Sequence, residues 1–489
     1  MNTGQYKLLC KTCDSILEEN KSIYRVAIPL LHVIKEHPSF LKRYQFLFAS
    51  VSNYLISLGE SSLISRLSRK ISSIFPLEYS KITIPINHQN TDVVIVSHLV
   101  NINHLDCEDD FYFSNVPKYL ADNKINPLII LINHTNENTE NLSKRINHSD
   151  TPKVILSKNL SLKGEIKNVF GLSKEMIKMR LSSLKEEGLL KRVLQCLSSV
   201  EGLGGALSAL RIGRQVEEIL SLCSPKVIMT TYEGHSWERV VYGIVSQHNK
   251  NVLRIGYQHS IVTRRAHSIA RPLGKKYDPD LIFTSGEITH NFLQKSLINS
   301  HSRLLVLGSK KSLEKLDSHS DKQSKACLVL PEGIIEECNT LFSFSIKCAN
   351  ASPNIDFIWR LHPVMSFNEV LEYMSINMED LPKNIIISSS SLSEDIAKSS
   401  FALYRGTTAI IEAVYGGLMP IYLSDNSEMT IDLLYEMDDD RKIVSNIKDF
   451  TAVVDSDTLH NNDKLIHYCE KYFVPFDYPV LLKELKRVV

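Results

Sequence analysis

The sequence predicts an α/β protein of two doubly wound, Rossmann-like domains facing each other across a cleft, with a helical section ahead of them. Three observations predict it. The chain has 489 residues, too many for one ordinary hydrophobic core. From residue 92 onward, short β-branched runs alternate with stretches of helical periodicity, the pattern of parallel sheets with crossover helices. A polar, charged stretch at residues 310–325 (KKSLEKLDSHSDKQSK) then divides that alternation into two series.

Residues 1–90 form the helical section, because SILEENKSIYRVAIPLLHVIKEH and YLISLGESSLISRLSRKISSIF place apolar residues at helical spacing. The first α/β domain covers residues 91–310. Its opening strands are 92–96 (DVVIV), 127–132 (PLIILI) and 153–156 (KVIL), continuous apolar runs of the kind buried on both faces. Residues 163–222 return to helical periodicity, broken by GLGG at 202–205. That glycine run matches neither GxGxxG nor GxxxxGK[ST] and follows no strand, so it reads as a joint between helices. Strands 226–230 (KVIMT), 251–255 (NVLRI), 281–284 (LIFT) and 304–308 (LLVLG) complete this half. After a linker at 311–325, the second domain (326–470) carries strands 327–330, 357–361, 385–387, 401–404 and 419–423. Residues 471–489 are a tail ending in the helical LLKELKRVV.

Charge excludes one class of partner. The 56 basic and 55 acidic residues nearly cancel, leaving no global field for a nucleic-acid backbone. The longest early apolar run, 26–34 (VAIPLLHVI), is far shorter than the roughly 20 residues that span a bilayer. The expected location is cytoplasmic, with peripheral membrane contact through basic helical stretches such as SRLSRKISSIF. Nine scattered cysteines, an odd number, argue for reduced thiols, and the lone Cys10–Cys13 pair lacks the second pair that zinc requires. Both read as helix-surface residues.

In open α/β sheets ligands bind beyond the carboxyl ends of strands, so the informative residues should follow strands. Four clusters do. Tyr232-Glu233-Gly234-His235 follows KVIMT and leads into a helix. A carboxylate and an imidazole there suit proton abstraction from a hydroxyl if burial raises the carboxylate toward neutrality; capping of the next helix is the alternative. Gln258-His259-Ser260, with Arg264 and Arg265 behind, could hold an anionic substrate or simply pack a loop. Glu332-Gly333 opens the second domain at a helix start, where backbone N–H groups face outward. Arg360-Leu361-His362-Pro363 and Arg405-Gly406-Thr407-Thr408 end two strands of one sheet, offering an imidazole, hydroxyls and amides to a phosphate; the threonines also suit N-capping.

At these residues the sequence resembles the GT-B glycosyltransferases that use CMP-activated acidic sugars: bacterial sialyltransferases and the transferases of Kdo, legionaminic and pseudaminic acid. Their acidic-acidic-Gly motif corresponds to Tyr232-Glu233-Gly234, where a tyrosine replaces the first carboxylate. Their HP motif corresponds to His362-Pro363, and their Ser/Thr pair to Thr407-Thr408. The combination YEGHSWE, YQHS, LPEG, RLHP and RGTTA also resembles surface-carbohydrate proteins of O-antigen loci over roughly residues 92–425. The resemblance implies Glu233 as base, His362 assisting CMP departure and the threonines holding its phosphate, with His235, His259 or Glu332 as other candidates for the base. It implies a CMP-sugar as donor substrate, no cofactor and no metal, and a bacterial glycan, lipid-linked or free, as acceptor. Asp438–Asp440 reads as a solvated acidic run. Two other readings stand beside this one. RLHP with a hydroxyl-rich loop also resembles CDP-glycerol glycerophosphotransferases, within a wider set of CDP-polyol and UDP-sugar transferases, and a non-catalytic glycan-binding protein would share the fold.

Overall fold

The computed structural model describes residues 1–50, 90–146, 151–199, 203–311, 313, 325–456 and 462–489. Two parallel sheets dominate it. The first comprises β1 (Val93–Leu99), β2 (Pro127–Asn133), β3 (Lys153–Ile155), β4 (Val227–Thr231), β5 (Leu253–Gln258), β6 (Leu281–Thr284) and β7 (Arg303–Val306), in the order β3-β2-β1-β4-β5-β6-β7. The second comprises β8 (Ala326–Leu330), β9 (Asp356–Trp359), β10 (Ile385–Ile387), β11 (Phe401–Tyr404), β12 (Met419–Leu423) and β13 (Lys442–Val444), in the order β10-β9-β8-β11-β12-β13. All their pairings are parallel. Central strands such as β4 and β8 are buried at every position, as expected of strands covered on both faces. These are two doubly wound α/β domains, as the alternation of apolar runs and helical stretches predicts.

The helices differ from the expected section in one instructive way. The Thr3–Glu19 helix forms, capped by Asn2, but the periodic pattern after it does not continue as helix. Pro29 and Pro38 interrupt it, leaving short turns on either side of an extended stretch at residues 32–37. Cys10 and Cys13 lie on the first helix but face its buried side, where burial pushes the Cys10 thiol up to about 12. All nine cysteines are free thiols. Leu203, Gly204 and Gly205 of the GLGG run form the first turn of the Leu203–Cys223 helix, and Gly205 lets Pro29 pack close against it. The basic stretch SRLSRKISSIF lies outside the described residues, as does most of the 311–325 linker.

The tail crosses back to the first domain. Ser309 donates to the Val474 carbonyl (2.8 Å) and Asp477 to that of Leu307 (2.7 Å), and Leu481 and Leu485 are buried in the first domain's core. Gly308, at φ +95°, permits this crossing, because a side chain there would overlap the Pro475 carbonyl.

Candidate active site

Strand order reverses between β1 and β4 in one sheet and between β8 and β11 in the other. Such switch points open crevices at the carboxyl edges of strands. Here the two crevices face one another. A cavity of about 180 Å³ is lined by Glu233, His235, Gln258 and Ser260 from the first domain and by Glu332, Gly406 and Thr408 from the second. Lys35, His37 and Phe40 of the N-terminal segment line it as well.

The first wall is built on the loop after β4. Tyr232 turns inward, 1 % exposed, its ring beneath the Arg239 guanidinium, so it does not line the cavity. Gly234 follows at φ +83°, and a Cβ there would lie 2.7 Å from the Ile269 amide. Only glycine fits both demands. Buried Glu238 then fixes the loop, its carboxylate accepting from the amides of Glu233 (2.9 Å), Gly234 (2.8 Å) and His235 (2.8 Å). Burial pushes the Glu238 carboxyl up to about 7.

This frame sets Glu233 and His235 side by side, with His235 Nε2 3.4 Å from Glu233 Oε2 and each side chain about a third exposed, at 34 % for Glu233 and 38 % for His235. The sequence expectation of a carboxylate raised by burial is overturned. Burial acts in that direction, but the hydrogen bond from His235, the nearby His259 and the Ser260 hydroxyl outweigh it and hold Glu233 well below the usual carboxylate range. Conversely, burial pulls the His235 imidazole down, but Glu233 and Glu238 more than compensate and leave it raised. His259 is lowered, chiefly by burial. Buried Gln258 donates to the Ser260 carbonyl (2.5 Å) while its Oε1 has no hydrogen-bond partner.

Around this pair lies a cluster that the sequence reading missed. His98, at the end of β1, stands between His134 (Nδ1 to Nε2, 2.8 Å) and the Thr231 hydroxyl (2.9 Å). Burial, then His134, pushes its imidazole down to about 3. Its ring meets Tyr112 and Trp237 edge-on at 5.4 and 5.3 Å, and Tyr112 in turn meets His259 at 4.5 Å. The result is an aromatic and imidazole platform beside Glu233.

On the second wall, Glu332 reaches toward His37, whose Nε2 lies 3.1 Å from Glu332 Oε1. Gly406 admits that carboxylate, since a Cβ there would overlap it. Thr408 faces the cavity, whereas Thr407 is buried with its hydroxyl 3.4 Å from the Ala409 amide. The arginines are committed elsewhere. Arg405, 3 % exposed, pairs with Glu337 (2.8 Å) and Glu428 (2.7 Å), and Arg360 pairs with Asp395 (2.8 Å) and the Ser390 carbonyl (2.6 Å). His362 and Pro363 are exposed and do not line the cavity; His362 lies beside Gly333, where a methyl group would come within 2.9 Å of its Nδ1. Burial and Lys311 lower the His362 imidazole. Lys311, at the start of the linker, is itself lowered by burial and feels the charges of Glu412 and Glu233.

The N-terminal segment is the third wall. Val33 accepts from the Ser268 amide (3.0 Å), and fully buried Glu36 accepts from the Thr263 hydroxyl (2.7 Å) and the Arg265 amide (2.8 Å). Arg265 therefore supports this segment through its backbone, and exposed Arg264 does not line the cavity. Among the described residues, no group of three or more His, Cys, Asp or Glu side chains could hold a metal ion.

No protein-family model matches the sequence, and no curated protein does. Among solved structures, the chain is similar to MurG of Acinetobacter baumannii, at 8% identity over 81% of this chain and 99% of that one, with a TM-score of 0.46. It is also similar to CalG4, the calicheamicin glycosyltransferase (9% identity, 78% and 94% covered, TM-score 0.44). A third is the UDP-GlcNAc 2-epimerase of Methanocaldococcus jannaschii (13% identity, 77% and 99% covered, TM-score 0.43). Likeness this distant concerns the course of the chain, and neither donor nor reaction follows from it.

Proposed function

We propose that this protein is a glycosyltransferase that moves an acidic sugar from a CMP donor to a hydroxyl of a surface glycan. One observation carries the reading: the Glu233–His235 pair and the Glu332, Gly406 and Thr408 group come from opposite switch points and line one cavity. A transferase needs that opposition, with a proton acceptor on one side and a leaving-group site on the other. The acceptor hydroxyl loses its proton to the Glu233–His235 pair as its oxygen bonds to the anomeric carbon. The bond from that carbon to the phosphate oxygen breaks with its electron pair, and CMP departs.

Because Glu233 is held ionised and His235 is raised, the two act as one proton-accepting unit rather than as a lone carboxylate. The lowered imidazole of His362 is neutral near pH 7, so it serves the departing phosphate as a hydrogen-bond donor. With Arg360 and Arg405 engaged in ion pairs, Lys35 and Lys311 are the cations that serve the donor's phosphate and carboxylate. The aromatic platform of Tyr112, Trp237 and His98 receives the acceptor sugar.

Incubating the protein with CMP-sialic acid, CMP-Kdo, CDP-glycerol and UDP-GlcNAc, and measuring the nucleotide released, tests the proposal. CMP release from an acidic sugar donor, together with stabilisation by CMP of about 2.7 kcal/mol at a hundred times its Kd, is the expected result. Turnover of CDP-glycerol or UDP-GlcNAc alone would replace the donor assignment, and turnover of none would remove the enzymatic one.

A further inference from the structure

The Leu162–Ser183 helix carries a surface that the cavity does not use. One face is buried, with Leu172 and Met179 in the core and both carboxylates turned inward: Glu165 pairs with Arg211 and Glu175 with Arg25, each at 2.7 Å. The opposite face presents Leu162, Ile166, Phe170, Ile177, Leu181 and, just past the helix end, Leu184. Their exposures run from 55 % at Ile166 to 73 % at Phe170. At 3.6 residues per turn these six fall within an arc of about 100°, and at 1.5 Å per residue the stripe is about 33 Å long. A continuous apolar stripe of that kind marks an interface rather than ordinary surface.

Its margin is basic. Lys163, Lys167, Lys174, Lys178 and Lys185 are all exposed and follow one edge of the stripe, Lys178 also lying 3.7 Å from Glu175. With the helix's own carboxylates buried, its exposed face offers apolar surface bordered by positive charge. We propose that this helix docks on an anionic lipid surface, lying in the membrane plane with its leucines, isoleucines and Phe170 at the headgroup–acyl boundary and its lysines on lipid phosphates. A second copy of the chain is the poorer occupant, because both carboxylates of the helix are buried and it has none left to set against the lysine margin of another copy. No helix among the described residues is long and apolar enough to cross a membrane, so the contact is peripheral. The inference rests on this surface alone and stands apart from the identity of the donor.

The experiment is sedimentation of the full chain with two kinds of vesicle, one of phosphatidylglycerol and phosphatidylethanolamine in equal parts, the other of phosphatidylcholine alone. Binding to the anionic vesicles should exceed binding to the neutral ones by at least about tenfold and weaken with salt. The double substitution Phe170→Ser, Ile177→Ser should lower it by about tenfold or more while leaving the melting temperature unchanged, since both side chains are exposed. Absent binding, equal binding to both vesicles, or binding that ignores the double substitution would each overturn the proposal. So would a dimer, measured by light scattering, that the same substitution dissociates.

Discussion

Replacing Glu233 by glutamine keeps the shape of the side chain and removes its charge, so it tests whether the carboxylate works alone or through His235. The structure sets the magnitudes. The two groups are 3.4 Å apart and each is about a third exposed, so solvent screens them and the pair contributes on the order of 1 kcal/mol or less to stability. Unfolding should therefore change little. Turnover should fall by about 10²- to 10⁴-fold, the range for loss of a general base. The pH profile carries the sharper test. In the native protein the pair accepts a proton only when His235 is neutral, and Glu233 raises that imidazole. The rate should thus climb with pH through the raised His235 value and fall off on the acid side. With glutamine at 233 the raising charge is gone, so whatever activity survives should have its acid limb moved to lower pH. His235→Gln should be similarly impaired, and the double variant should be little worse than the poorer single one, because groups acting as a unit are not additive. Initial rates of CMP release at saturating donor, measured from pH 5 to 9, settle the matter. An acid limb that stays in place in Glu233→Gln, or losses that multiply in the double variant, would refute the coupled pair.

Two further substitutions probe the frame and the donor side. Gly234→Ala places a methyl group 2.7 Å from the Ile269 amide at φ +83°; it should cost at least about 1–2 kcal/mol in thermal unfolding and disproportionately more in turnover, because the loop it displaces carries both members of the pair. Lys311→Gln should raise KM for the donor by about tenfold or more with melting unchanged, as expected for loss of one charge-assisted contact; an unaffected KM would place the donor elsewhere.

Much of the fold is legible in the sequence because unbroken apolar runs such as VVIV and ACLVL leave few alternatives to buried parallel strands. The strand ends are less so, and the site depends on them. Taking the first strand to stop at Val96 hides His98, whereas β1 runs on to Leu99 and sets that imidazole at the carboxyl edge, within reach of Thr231. Tyr112 and Trp237 carry no local sign of function; they become neighbours only because β1, β4 and β5 lie side by side. Arg405 shows the opposite error. A guanidinium after a strand reads as an anion ligand, but Glu337, in the first turn of the helix after β8, and Glu428, on a distant loop, occupy it, and no spacing rule announces two partners brought by separate elements. Burial makes that commitment firm, since a buried cation stripped of its carboxylates is strongly disfavoured.

The same reasoning explains why the N-terminal segment belongs to the site. Read by periodicity, residues 15–37 form an amphipathic helix, and a helix would turn Lys35 and His37 about 200° away from each other, so that both could not reach one cavity. Pro29 and Pro38 prevent this, and the stretch between them extends instead. Extended chain needs backbone partners and a place for its alternate side chains, and the 263–268 stretch supplies both, Thr263 and Arg265 donating to the Glu36 carboxylate and the Ser268 amide to the Val33 carbonyl. With Glu36 pinned inward, its sequence neighbours Lys35 and His37 are carried to the cavity, where His37 spans the cleft to Glu332. A segment without strand or motif thereby joins the two domains at the point where the chemistry is proposed, and it does so because two prolines deny it the helix that its apolar pattern favours.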